Sequence, residues 1–118
     1  RALLGLDGTP TATEALYLGA YRAQRGGTEI TVLTTKEGGL RRSIQGRARE
    51  YLEQHGVQAH YVQRIGPPGP TVVAVAGERG CDFVLMGGYG QAPLVEVVLG
   101  STVDFVLRGF DGPVLVCR

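Results

Sequence analysis

Strand-like and helix-like segments alternate along the whole of this 118-residue chain. Five short runs are apolar or rich in β-branched residues, as expected of strands, and most of the segments between them repeat apolar residues every three or four positions. Strands that alternate with helices predict an open parallel sheet with helices on both faces, because right-handed crossovers place the helices outside the sheet. We therefore expect one α/β domain over residues 1–118. The predicted strands are residues 2–7, 29–35, 57–65, 81–87 and 112–118.

The first two predicted helices have recognisable ends. Pro10 precedes a capping box of Thr11 and Glu14, a pattern that begins helices because the two side chains satisfy free backbone N–H groups. Small apolar residues then share one helical face, so we expect this helix to lie close to the sheet until the glycines at 26–27 stop it. The second helix covers residues 40–55.

The last two predicted helices are less regular. The sequence "GPPGP" at 66–70 is typical of a stiff loop, and residues 71–79 follow it as a short helix between two strands. Ser101 and Asp104 form a second capping-box pattern, which predicts a helix from there to Arg108.

Charge and composition exclude several classes of partner. Twelve basic and eleven acidic residues give a net charge of +1, without the crowded basic face that binds nucleic acid. No apolar run approaches the roughly 20 residues that span a bilayer, and no signal-peptide pattern is present. Cys81 and Cys117 lack CxxC spacing, and His55 and His60 lack companions at metal-ligand spacing. We expect a cytoplasmic protein with reduced cysteines and no metal site, nucleic-acid partner or membrane partner.

A glycine-rich stretch, "MGGYGQAPLVEVVLGST" at 86–102, follows the predicted fourth strand. Gly100 and Ser101 would stand at the start of the next helix, where free amides and the helix dipole attract anions. Phosphate binding is therefore one interpretation, with Gly90 and Gly100 permitting close backbone approach. The alternative is that the glycines are turn residues and Ser101 is an ordinary N-cap.

Asp7 ends the predicted first strand. In open parallel sheets ligands bind at the carboxyl ends of the strands, where the strand order reverses. If the first and fourth strands are neighbours, Asp7 and the loop at 87–90 face each other across one crevice. The alternative role for Asp7 is an Asx-type turn that stabilises Gly8.

These segments resemble the ATP-binding branch of the universal stress protein (UspA-like) family. The resemblance is carried by "LLGLDGT" at 3–9, by "CDFVLMGGYG" at 81–90, and by the spacing G-x2-G-x9-G-[ST] that leads into "GSTVDFVLRGFDGPVLVCR" at 100–118. It implies a Rossmann-like, five-stranded parallel sheet of order 3-2-1-4-5. It also implies an adenine-nucleotide ligand: ATP, or ADP or AMP, with Mg²⁺ bound only through the phosphates.

The resemblance also implies the residues of the site. Asp7 would contact the adenosine, and the end of the second strand near Thr34 and Thr35 would offer backbone groups to the adenine edge. The glycine loop would hold ribose and phosphates. The sequence departs from the family pattern at two positions. Gly88 stands where the family often has serine, and Tyr89 stands where it often has arginine or histidine, so a cationic partner for the phosphates is missing. Arg41 and Arg42 could reach a phosphate instead, but such a pair is more often solvated. The implied site residues are Asp7, Gly8, Thr9, Thr35, Met86, Gly87, Tyr89, Gly90, Gly100, Ser101, Thr102 and Val103.

Four functions compete at this point, and flavin or dinucleotide binding is the weakest of them. A regulatory stress-response module that binds ATP is favoured over an enzyme, because there is no GxxxxGK[ST] loop and no group placed to orient an attacking water. Slow hydrolysis stays open. A ligand-free dimerising scaffold is the other alternative, and dinucleotide binding is disfavoured because GxGxxG is absent after the first strand.

The apolar run "VLVC" at 114–117 predicts a dimer. A last strand at the sheet edge leaves backbone groups unpaired, which invites a partner strand. The family resemblance implies antiparallel pairing of two such strands. We expect a homodimer, or a pseudo-dimer within a tandem chain.

Overall fold

The computed structural model describes residues 1–7, 9–35, 39–87 and 96–117, with the backbone alone for residues 39–43 and 96–101. Within these ranges strands and helices alternate in the predicted order. The elements are β1 (Ala2–Leu6), α1 (Pro10–Gly26), β2 (Ile30–Thr34), α2 (Gly39–Gln54), β3 (Ala59–Gln63), α3 (Pro68–Glu78), β4 (Phe83–Gly87), α4 (Glu96–Gly109) and β5 (Val114–Cys117).

The five strands form one parallel sheet in the order β3-β2-β1-β4-β5, which confirms the predicted fold. β1 is the central strand, and its Leu4 lies beside Val32 of β2 and Leu85 of β4. The order reverses at β1, because the chain moves outward to β3 and then returns to the other side of β1 as β4. β3 and β5 are the two edges.

Apolar side chains fill both faces of the sheet. One cluster, which includes Leu4, Ile30 and Leu52, packs under α1 and α2, and the other, which includes Leu3 and Val75, packs under α3 and α4. The three central strands β2, β1 and β4 are therefore buried on both sides.

α1 lies close to the sheet because its inward face is made of small residues. A Cβ added to Gly19 would stand 3.4 Å from Leu85 Cδ1 and 3.5 Å from Ile30 Cδ1, so even one methyl group would be tightly packed. The helix ends at Gly27, whose φ of 68° is the left-handed conformation of a C-cap. The small inward face and the stop at the glycines were both predicted from the sequence.

The start of α1 differs from the prediction. The N-cap is Thr9, whose hydroxyl accepts a hydrogen bond from the Ala12 N–H, so the predicted capping box of Thr11 and Glu14 is wrong. The physical reason is Pro10. Its fixed φ suits the first helical position, and it has no backbone N–H that would be left unpaired there. The residue before it is therefore the cap.

α3 begins earlier than predicted. Its N-cap is Pro67 and its first residue is Pro68, so the helix starts inside the sequence predicted to be a loop. The Thr71 hydroxyl and N–H both donate to the Pro67 carbonyl, which fixes the first turn. Across the described ranges, no helix is both long and apolar enough to cross a membrane.

Candidate functional site

A cleft lies at the carboxyl ends of β1, β2 and β4, on the side of the sheet covered by α3. This is where the strand order reverses and where ligands bind in open parallel sheets. Four residues predicted for the site meet here: Asp7, Thr35, Met86 and Gly87. The described residues that line the cleft are Gly5, Leu6, Asp7, Leu33, Thr35, Pro68, Val72, Met86 and Gly87.

Asp7 makes an Asx-type turn and still keeps hydrogen-bonding capacity. Its Oδ1 accepts from the Thr9 N–H at 3.0 Å and from the Thr9 hydroxyl at 2.6 Å. The turn interpretation is therefore correct, but it does not exclude ligand contact. Both bonds use Oδ1, so within the described part of the chain Oδ2 is left to accept from a ligand hydroxyl.

The two glycines of the cleft lack side chains for different reasons. A Cβ on Gly87 would stand 2.8 Å from Ala12 Cα and 2.7 Å from Thr11 Oγ1, so this glycine lets the start of α1 pack against β4. A Cβ on Gly5 would meet only Val72 Cγ2 at 3.8 Å and Met86 Cβ at 3.9 Å, which are ordinary contacts. Gly5 therefore keeps the floor of the cleft bare.

The enclosed part of the cleft is small. It holds about 20 Å³, room for about one water molecule. An adenine ring must therefore lie over the cleft or widen it. The walls of the cleft are suited to an adenine ring, because Leu33 and Val72 contribute apolar side chains and Pro68 contributes a rigid one.

The start of α4 differs from the prediction. The helix begins at Glu96, so Gly100 and Ser101 are inside it and the capping box of Ser101 with Asp104 is wrong. Apolar residues precede Gly100, and one glycine inside a helix costs only about 1 kcal/mol, so the helix continues through it. The Asp104 carboxylate pairs instead with Arg108 one turn later, at 3.0 Å.

The other predicted site residues lie in α4 or outside the described residues. Thr102 and Val103 are half-buried, and Val103 packs against the core cluster under α3 and α4. Four residues named in the prediction lie outside the described ranges: Gly8, Gly88, Tyr89 and Gly90. Four others are described by their backbone alone: Arg41, Arg42, Gly100 and Ser101.

Sequence reasoning missed five of the described residues that line the cleft: Gly5, Leu6, Leu33, Pro68 and Val72. Gly5 could have been found, because a glycine inside an otherwise apolar strand often marks a close approach by a ligand or another backbone. Pro68 and Val72 come from α3, which only the tertiary fold brings over β1.

Other chemically reactive groups lie away from this cleft. The described cysteines are free, and burial raises the pKa of the Cys81 and Cys117 thiols. His55 stacks on Tyr51 with ring centroids 4.2 Å apart, as a packing residue does. Outside the undescribed segments, no three side chains of His, Cys, Asp or Glu come together as metal ligands would.

Comparison with known proteins gives one family. The model of the universal stress protein family matches residues 35–118. A universal stress protein of Methanocaldococcus jannaschii is 31% identical over 70 residues, which are 59% of this chain and 43% of that protein. The chain thus matches less than half the length of this curated relative.

Solved structures with the same fold cover nearly the whole chain. A universal stress protein in complex with cAMP has a TM-score of 0.85 at 20% identity, covering 99% of this chain and 94% of its own. A family member from Arabidopsis thaliana with AMP bound has a TM-score of 0.76 at 11% identity, covering 98% and 89%. The fold and the family match agree, and the chain belongs to the universal stress protein family.

Proposed function

We propose that this domain binds an adenine nucleotide in the cleft between β1, β2 and β4 and acts as a nucleotide-dependent regulatory module of the cytoplasmic stress response. The observation that carries the proposal is the meeting of a bare floor at Gly5, apolar walls and the Asp7 carboxylate at the point where the strand order reverses. Relatives solved with cAMP and AMP support the choice of ligand.

The base would lie over Gly5, between Leu33 and Val72. Burying a flat ring against apolar walls is favourable in proportion to the area removed from water. The exposed edge of the base would meet the backbone of Thr35, which follows β2 directly. The Thr34 carbonyl is not free for this role, because it accepts from the Arg64 N–H at 3.0 Å.

The ribose would lie beside Asp7. A carboxylate oxygen without a partner accepts hydrogen bonds from sugar hydroxyls, and hydrogen bonds to a charged group are the stronger ones. The phosphates would then extend toward α4, where Gly100, Ser101 and Thr102 stay proposed contacts. Gly90, which lies outside the described residues, also stays a proposed contact. ATP, ADP and AMP all fit this arrangement, with Mg²⁺ held only by the phosphates.

We propose a signalling role rather than catalysis. Asp7 is the one charged side chain among the described residues that line the cleft. A single carboxylate that is also bound to Thr9 is poorly placed to activate water, so we expect any ATP turnover to be far below the roughly 1–100 per second of kinases. Rapid multiple turnover by purified protein would exclude a purely regulatory role.

The test of nucleotide binding is Asp7→Asn. The amide keeps an oxygen for the turn to Thr9 but loses the charge, so we expect AMP affinity to fall roughly tenfold with stability near that of the parent. Asp111→Asn is the matched control, because Asp111 is exposed and does not line the cleft. Titration calorimetry gives the affinities. Equal AMP affinity in Asp7→Asn and the parent would remove Asp7 from the site.

The resident nucleotide is identified separately. Purified protein is denatured with acid, and the released small molecules are identified by mass. We expect an adenine nucleotide. Protein that releases none and does not bind AMP, ADP or ATP at millimolar concentration would favour the ligand-free scaffold.

We also propose that the domain pairs with a second copy through β5. β5 is an edge strand, and its Leu115 is 45% exposed although it is a large apolar residue. Pairing two such edges satisfies free backbone groups and covers Leu115. Light scattering of the parent at micromolar concentration should give a dimer mass, and Leu115→Lys should shift it toward the monomer. A monomeric parent would refute homodimerisation of this domain.

A further inference from the structure

A second cavity lies on the opposite face of the sheet, between α1 and α2. It holds about 270 Å³, against about 20 Å³ in the enclosed part of the nucleotide cleft. Leu6 and Ile44 contribute apolar side chains to it. We call it the α1–α2 groove.

The groove exists because small residues face each other across it. Ala12 of α1 and Ala48 of α2 both line it, and both are buried. Further along the two helices Tyr17 and Tyr51 meet, with ring centroids 4.9 Å apart. The aromatic rings therefore border one end of the groove, and the small side chains of the alanines leave space at the other. Tyrosines in this position offer both a ring face and a hydroxyl to a ligand.

One charged side chain, Arg47, lines the groove among the described residues. The other arginines whose side chains are described on α1 and α2 lie over aromatic rings: Arg22 is 4.9 Å from the ring centre of Phe83, Arg25 is 5.4 Å from that of Tyr21, and Arg49 is 4.0 Å from that of Tyr61. Arg47 has no such ring and no carboxylate partner within the described part of the chain.

We propose that the α1–α2 groove binds a small aromatic carboxylate. The ring would lie between Ala12 and Ala48, over Leu6 and beside Tyr17, which is 45% exposed, and the carboxylate would pair with Arg47. A guanidinium forms two parallel hydrogen bonds with a carboxylate, which gives direction as well as affinity. A cationic ligand is disfavoured by Arg47, and a purely aliphatic one would make no ring–ring contact with the exposed part of Tyr17.

The site is separate from the nucleotide cleft. The cleft opens on the α3 side of the sheet and the groove on the α1 and α2 side, and Leu6 is the described residue that borders both. The proposal therefore does not depend on nucleotide binding.

The test uses two probes of the same shape. Naphthalene-2-carboxylate carries the charge, and naphthalene-2-carboxamide does not. Both are titrated into the parent, into Arg47→Gln and into the control Arg49→Gln, with affinities from calorimetry and contact sites from backbone amide shifts. Arg49 is two positions away on the same helix and does not line the groove.

We expect saturable carboxylate binding to the parent, with shifts centred on residues 12–17 and 44–51. Arg47→Gln should weaken the carboxylate roughly tenfold and leave the carboxamide unchanged, because only the charged hydrogen bonds are lost. Arg49→Gln should change neither. Thr13→Phe, which places a larger side chain in the groove, should abolish binding of both probes.

Several results would overturn the proposal. One is the absence of saturable carboxylate binding to the parent at millimolar concentration. Another is equal weakening of both probes by Arg47→Gln, or unchanged binding of both in folded Thr13→Phe. Displacement of the carboxylate by saturating AMP would also overturn it, because the probe would then occupy the nucleotide cleft.

Discussion

Gly5 and Gly87 border the same cleft, and adding one methyl group to each should have opposite consequences. At Gly87 the new Cβ would stand 2.8 Å from Ala12 Cα, a backbone atom that cannot rotate away. At Gly5 the nearest atom is 3.8 Å away, an ordinary van der Waals distance. We therefore expect Gly87→Ala to damage the fold and Gly5→Ala to damage ligand binding.

The magnitudes follow from these distances. Gly87→Ala forces the first turn of α1 away from β4, and such overpacking costs about 1–3 kcal/mol. For a domain of this length that corresponds to a fall in Tm of roughly 4–15 °C. Gly5 lies inside β1, and alanine is about 0.5–1 kcal/mol more favourable than glycine within a strand. The Tm of the Gly5→Ala variant should therefore rise slightly.

The two variants are expected to rank in the opposite order when AMP affinity is measured, with Gly5→Ala the more damaging. The methyl group of Gly5→Ala would stand on the floor of a cleft whose enclosed volume is about 20 Å³, so a base could no longer lie against it. We expect AMP affinity to fall at least roughly tenfold, the lower part of the usual overpacking range.

The assay is thermal unfolding of each variant, followed by AMP titration below its Tm. Unchanged AMP affinity in Gly5→Ala would show that the base lies elsewhere. Unchanged Tm in Gly87→Ala would show that the close approach of α1 to β4 can relax at no cost.

Two further predictions concern buried groups. The Thr34 hydroxyl is buried and has no hydrogen-bond partner among the residues that the structure describes. The isosteric Thr34→Val should therefore raise the free energy of unfolding by up to about 1–2 kcal/mol in chemical denaturation, and a loss of stability would indicate a partner for that hydroxyl. Because burial raises the pKa of the Cys81 and Cys117 thiols, both carry less thiolate at pH 8.5 than free cysteine. They should react more slowly with iodoacetamide in the native protein than after denaturation, and equal rates by mass spectrometry would contradict this.

The strand order could be predicted because several sequence signals agree. β1, β2 and β4 are short and apolar on both faces, and the helical segments between them leave few topologies open. Element ends were harder to predict. Thr11 and Thr9 are both good N-caps by residue type, and the structure selects Thr9 because Pro10 occupies the first helical position.

The residues of the candidate site could be predicted where they follow strands. Asp7, Thr35, Met86 and Gly87 all lie at or next to the carboxyl ends of strands, so the parallel sheet brings them to one edge. Pro68 reaches the same cleft from a helix that crosses above β1. No local pattern in "GPPGP" contains that information, because it depends on how α3 packs on the sheet.

Gly100 offers a test of where α4 begins. If the helix starts at Glu96, as in the structure, Gly100 is an interior helical residue and Gly100→Ala should stabilise the free protein by about 0.8–1 kcal/mol. If Ser101 were instead the N-cap, as the sequence predicted, Gly100 would lie before the helix, and the same change should bring no gain in stability from helix propensity. The presence or absence of this gain in chemical denaturation separates the two, with Gly77→Ala, an exposed glycine near the end of α3, as the control for glycine removal from a helix. AMP titration of Gly100→Ala then tests the proposed phosphate contact independently. A stabilised variant that has lost AMP affinity would mean that the phosphate approaches this part of α4 too closely for a Cβ. A stabilised variant with parental AMP affinity would remove Gly100 from the site.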